Sequence, residues 1–180
     1  MISQPELSTA EEHKIGDYVV YRQDGICRIY DIKSEDFCCM GEKKYYSLIS
    51  VFNEKNKIYV PVGSKIADEM HRLLTADEIE DVIKESETNE ENWISDGRER
   101  ATFFDSVIKS GNRTQILKIF KLLSLRKLEL EAQKKKLHAN DERILSVVQK
   151  QIIEEFSFVL SIPQNEVVSF IIDEIKKYKS

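Results

Sequence analysis

Two hydrophobic periods divide this chain. From Ile15 to about Pro61, apolar and polar positions alternate in short runs, the two-residue period of half-buried strands. "DYVVYR" is dense in β-branched and aromatic residues, and "QDG" then supplies a turn in which Gly25 can adopt positive φ. "ICRIYDI" sets Ile26, Arg28, Tyr30 and Ile32 on one face against Cys27, Ile29 and Asp31 on the other. "KKYYSLISVF" predicts a third strand, "NEKN" a turn and "KIYVPV" a fourth strand. Pro61 has no N–H for a ladder, so the fourth strand ends there or lies at an edge.

Past Pro61 the period lengthens to that of helices. Thr75 and Glu78 form a capping-box pattern opening a helix over about 75–85, and the polar "SETNEEN" that follows reads as a linker. A second helix is expected over 93–110, stopped by Gly111. Ile116, Ile119, Phe120, Leu123 and Leu130 mark the apolar face of a third, over 113–137. "LHAND" breaks it, and Asn140 can cap a fourth helix over 141–160, where Ile144, Val148, Ile152, Phe156 and Val159 recur at helical spacing. Pro163 suits the first turn of a last helix over 163–178. The fold class is therefore α+β: a flexible N-terminus over 1–13, a small twisted β-sheet or barrel over 14–72, and an all-helical domain over 73–180. Neither half is long enough for a deep core of its own, which favours packing against each other or against a partner.

Charge sharpens the division. The net charge of −5 conceals 11 Lys and Arg against 21 Asp and Glu in residues 1–97, but 13 against 6 in residues 98–151. A basic middle in an acidic protein suits either an anionic partner or a set of long solvated helices. No apolar run is long enough to span a bilayer, and the first residues lack the pattern of a secretory signal, so a cytoplasmic location is expected.

Signals for chemistry are sparse. The three cysteines, Cys27, Cys38 and Cys39, form no C-x-x-C pair and have no histidine at ligand spacing, so neither a metal nor another cofactor is expected. His13, His71 and His138 are isolated, and no phosphate loop, dinucleotide fingerprint or nucleophile elbow occurs. Neither an enzyme nor a small-molecule substrate is expected. Recognition remains, and a sheet edge can accept a partner's strand by backbone bonding unless the protein's own helices cover it.

"IGDYVVYRQDGICRIYDI" followed by "YYSLISVFNEKNKIYVPV" resembles the RNA-polymerase-interacting module shared by CarD/CdnL regulators and transcription–repair coupling factors. Gly16, Asp17, Val19, Val20, Tyr21, Gly25, Tyr46 and Val60-Pro61 carry the likeness, and "NW", "SGN" and "KKLHANDERIL" extend it to the CarD branch. The resemblance implies a Tudor-like β module that pairs with a strand of the polymerase β subunit. It also implies a helical domain that contacts promoter DNA at the upstream edge of the bubble, modulating open-complex formation and stability. DNA contact is expected to be weak and largely independent of sequence.

By resemblance Trp93, the only tryptophan, is a minor-groove wedge, with the closing of an interface between the halves as its other reading. Arg98, Arg100 and Arg143 are the expected phosphate contacts, with Lys134, Lys135 and Lys136 adding diffuse attraction. Ser34, Glu35, Lys57, Ile58, Tyr59 and Val60 are the expected polymerase contacts. The chain departs from the family in residues inserted after Trp93, and in Glu35 and Tyr59 standing where other members place arginines. An adaptor that uses the sheet edge without a DNA contact is the alternative reading. Self-association through an exposed strand edge is also expected to be open to this chain.

Overall fold

Val19 and Val20 are neighbours on one strand, yet both are buried, because the first hairpin is covered on both faces. The computed structural model describes residues 13–37, 41–88 and 93–179. Apart from His13, the expected flexible N-terminus lies outside them, as do Cys38, Cys39 and linker residues 89–92.

Five strands form one antiparallel sheet: β1 (Tyr18–Tyr21), β2 (Gly25–Glu35), β3 (Lys43–Ser50), β4 (Lys57–Pro61) and β5 (Met70–Arg72), in the order β4-β3-β2-β1-β5. The fifth strand was not visible in the sequence. It is three residues long and, among the described residues, pairs with β1 alone. Val19, Tyr21, Cys27, Ile29, Tyr46, Leu48, Val60 and Met70 form the inner cluster of the sheet, with Ile32, Ile58 and Val62 packed against it.

The alternation expected along β2 breaks at a bulge between Ile29 and Asp31. The extra residue, Tyr30, shifts the pattern, so Ile32 rather than Asp31 joins Cys27 and Ile29 inside. Among the described residues the sheet stays open, with β4 and β5 as its edges, and does not close into a barrel.

Five helices follow: α1 (Ala76–Glu85), α2 (Gly97–Ser110), α3 (Arg113–Ala132), α4 (Ala139–Leu160) and α5 (Val167–Lys179). Thr75 and Glu78 form the capping box foreseen for α1. Asp96 caps α2 through the amides of Arg98 and Glu99, so that helix begins at Gly97 and leaves Trp93 on the segment before it. α3 ends at Ala132, five residues short of expectation, and Lys134 beyond it takes positive φ. His138, rather than Asn140, caps α4. Pro163 precedes a 3₁₀ turn, Gln164–Glu166, that leads into α5. The helical core gathers sixteen buried residues, among them Phe156, Ile152, Ile116 and Leu123. Burying each such side chain contributes about 2–3 kcal/mol.

α4 carries the joint between the halves on four polar side chains in two turns, three bonded to the first hairpin and one to the chain just past β5. Lys150 donates to Gln23 O (3.1 Å), and Gln151 donates to Arg22 O (2.5 Å). Glu154 accepts from the Ile26 amide (3.2 Å), and Glu155 accepts from the Leu74 amide (3.0 Å). Arg113 on α3 completes the joint. It donates to both Glu155 oxygens (2.7 and 3.2 Å) and to the carbonyls of Gly111 and Arg72. Buried polar groups tied this way fix one relative placement, because leaving any of them unpaired is costly.

Candidate functional site

The open edge of β4 follows from its register. Tyr45 pairs with Pro61, Ser47 with Tyr59 and Ile49 with Lys57. The ladder continues past both ends of the strand, where the Val62 amide donates to Lys44 O (2.9 Å) and the Ser50 amide to Asn56 O (3.4 Å). Bonding alternates along an antiparallel pair, so the backbones of Asn56, Ile58, Val60 and Val62 turn toward β3. Those of Lys57, Tyr59 and Pro61 turn outward, and nothing among the described residues pairs with that side of the strand. Direction and face share the same period. Lys57 and Tyr59 therefore also carry their side chains on the outer face of the sheet, while Ile58 and Val60 point into the inner cluster.

The outer face beside this edge is aromatic. Phe37, 52% exposed, lies 4.9 Å from the Tyr45 ring and 5.2 Å from the Tyr59 ring, centre to centre. Lys57 Nζ sits 5.9 Å from the centre of Tyr30. Of the six residues expected to contact polymerase, the structure thus joins four as one edge strand. Among them Lys57 and Tyr59 offer backbone groups to a partner. Ser34 and Glu35 lie at the end of β2 with β3 between them and β4, and Glu35 is paired with Lys33 (2.7 Å). Phe37 and Tyr45 were missed, since their contact depends on a chain reversal that carries no local signal.

A second cluster surrounds Trp93. Its indole packs half-buried against the helical core, within the helical half rather than between the halves. The Arg100 guanidinium carbon lies 4.3 Å from the ring centre and that of Arg126 5.3 Å. Arg100 corrects the reading from sequence. It is buried, grips Asp141 with two bonds (3.0 and 2.6 Å) and donates to Ile94 O (2.6 Å). Its guanidinium therefore pins the Trp93 segment to α4 and is turned away from any phosphate outside.

Arg98 and Arg143 are exposed. Arg98 stands in the first turn of α2, while Arg143 bonds Asp105 (3.2 Å) across to α2. Arg126 bonds Glu129 (3.1 Å), and Lys127 bonds Glu142 (2.6 Å), which raises the ammonium pKa. Lys134, Lys135 and Lys136 are exposed beyond the end of α3. The exposed cations of the positive middle are thus interleaved with that segment's own carboxylates. Arg126, unnoticed in the sequence, is the exposed-side cation nearest to Trp93.

The residues that the sequence offered for other chemistry serve the fold. His71 Nε2 donates to Lys109 O (3.0 Å), His138 caps α4 and His13 stands edge-on to Tyr46. Burial pushes the Cys27 thiol up to about 12, far from a reactive thiolate. No described helix is long and apolar enough to cross a membrane.

No curated protein matches the chain. Residues 13–73 match the family model described as the CarD-like/TRCF RID domain, a span that runs from just before β1 to just after β5. The open β4 edge and its aromatic face thus belong to a CarD-like RNA-polymerase-interacting domain, and the chain that carries it is a transcription-related protein.

Proposed function

We propose that this chain is a non-enzymatic, cytoplasmic bacterial transcription regulator. It docks on the RNA polymerase β subunit by adding a polymerase strand to β4, and it touches promoter DNA weakly through the end of the helical domain that holds Trp93. The observation that carries the reading is the outward row of backbone groups on β4, inside the segment that matches the RID family. Such a row binds a strand without demanding particular side chains. The other edge, β5, is tied to the helical half through Arg72 O and Arg113, which leaves β4 as the accessible side.

Trp93, Arg98 and Arg143 are the DNA-facing candidates, with Arg126 beside them. Tethering to polymerase raises the local concentration of DNA, so a weak contact suffices to alter how the open complex forms and persists. The alternative is an adaptor with no functional DNA contact. It is favoured by one observation, the pairing of Arg100, Arg126 and Arg143 with carboxylates.

Pull-down of the cognate β subunit tests the docking step, comparing wild type with Tyr59→Pro. Proline at 59 removes an outward N–H and spares the β3 ladder, whereas proline at Ile58 would cut the sheet itself. Retention of wild type and loss of Tyr59→Pro support docking, while no binding by wild type rejects it. Promoter-opening assays with Trp93→Ala then separate the two readings: altered opening with β binding retained supports DNA contact, and unchanged opening supports the adaptor.

A further inference from the structure

The outer edge of β4 is short and closed at both ends. Ser64 donates to Pro61 O from its hydroxyl (2.7 Å) and its amide (3.3 Å), and Pro61 has no N–H of its own. Before Lys57 the chain turns, with the Asn56 amide bonded to Asn53 O (3.0 Å). What remains between these limits is Lys57 and Tyr59, each with one outward donor and one outward acceptor.

We infer that this edge pairs with the same edge of a second copy, antiparallel, with Ile58 facing Ile58 across a two-fold axis. In that register Lys57 of each copy stands opposite Tyr59 of the other, and each such pair exchanges both of its backbone bonds. Two donors and two acceptors per copy are matched with none left over. Centring the axis on Tyr59 would set Lys57 against Pro61, whose carbonyl Ser64 already occupies and which has no proton to return.

The side chains agree with the backbone. Outward residues share the outer face, so each Lys57 ammonium comes beside the Tyr59 ring of the other copy, a cation–π pair made twice. On the inner face the two Ile58 side chains meet at the closest spacing that an antiparallel ladder offers, with Cα atoms about 4.5 Å apart. Charge does not oppose the contact, since residues 13–73 hold 10 Lys and Arg against 9 Asp and Glu. A polymerase strand would use the same four backbone groups, so the dimer and a polymerase-bound form would exclude each other.

Sedimentation of the full chain over a rising concentration series tests the dimer with no polymerase present, so its outcome is independent of the docking reading. Wild type passes from monomer to dimer as concentration rises. Tyr59→Pro removes two of the four bonds between copies and raises the dissociation constant ~30-fold. Tyr59→Lys keeps the backbone intact, sets lysine against lysine and also weakens the dimer. Ile58→Cys oxidises to a disulfide dimer joined through residue 58, because that Cα spacing suits a disulfide, whereas Tyr59→Cys does not form one through residue 59. Peptide mass distinguishes these links from any made by the native cysteines. A wild type that stays monomeric into the millimolar range overturns the inference. So does a dimer that both Tyr59 variants leave intact, or one that cross-links through residue 59 instead of 58.

Discussion

Gly25 and Glu154 meet so closely that a Cβ on the glycine would overlap the Glu154 carboxylate. The glycine also has φ +73° and ψ −139°, a conformation that side chains resist. Two constraints fall on one residue because the first hairpin presses its turn onto α4. Gly25→Ala is expected to cost about 3 kcal/mol, combining backbone strain with overpacking. Urea unfolding should show a lower midpoint at an unchanged slope. A near-neutral result would mean that the turn is not held against the helix.

Trp93 gives its neighbourhood a built-in reporter, since the chain has no other tryptophan. Arg100→Met removes the cation over the ring and leaves Asp141 buried and unpaired. Its emission should shift to the red as water reaches the indole, with a stability loss of about 3–5 kcal/mol. Arg126→Met removes only the more exposed cation, so a shift without a comparable loss is expected. Equal effects of the two changes would contradict the division between a buried clamp and a surface neighbour.

Protonation of two carboxylates should shape the stability profile in opposite senses. Burial raises the pKa of Glu154 above its ordinary 4.5, while Lys150 and the Ile26 amide pull it back. Its folded form holds a proton more firmly than the unfolded chain does. Its contribution is therefore full below the unfolded value and is lost as pH rises through the folded one. Burial shifts Asp24, on the same hairpin, in the same direction. Glu78 behaves the other way, because the Arg72 guanidinium holds its carboxyl down to about 2. That contribution is full above the unfolded value and fades as pH falls toward 2. Glu154→Gln should gain on wild type as pH climbs from acid to neutral, and Glu78→Gln should flatten the acid limb. Urea unfolding across that range reads both.

What the sequence disclosed, and what it hid, follows from the range of the forces involved. Pro61 announced an edge or a strand end because a missing N–H is a local fact, and it proved to be both. Gly111 and the Thr75–Glu78 box marked helix ends for the same reason. The bulge after Ile29 stayed hidden because apolar residues on both sides of it preserve the look of alternation. β5 is too short to show a period. Arg100 read as a surface cation because its partner, Asp141, lies 41 residues away. Glu154 and Glu155 carry no local sign of burial, because the groups that face them, the β hairpin and Arg113, are distant in sequence. Phe37 and Tyr45 became neighbours of Tyr59 only through strand pairing. The candidate edge was legible from backbone chemistry, while the residues that surround it required the fold.

Arg113 and Glu155 provide the strictest test of how the halves are joined. Their side chains are almost fully buried and hydrogen-bonded to each other; Arg113 also holds the carbonyl of Arg72, the last residue of β5, and Glu155 the amide of Leu74, between β5 and α1. Arg113→Met strands the Glu155 carboxylate in the interior, and Glu155→Leu strands the guanidinium. Each single change should cost about 3–5 kcal/mol, because an unpaired buried charge is left behind. The double variant leaves no buried charge, and its cost should fall well below the sum of the singles, with a coupling of about 2–3 kcal/mol. A residual deficit should persist, since in the double variant the Leu74 amide loses Glu155 and the Arg72 carbonyl loses Arg113. Additive costs in the double-mutant cycle would mean that the two groups are not a pair in solution and that the joint rests on the bonds of Lys150, Gln151 and Glu154 to the first hairpin.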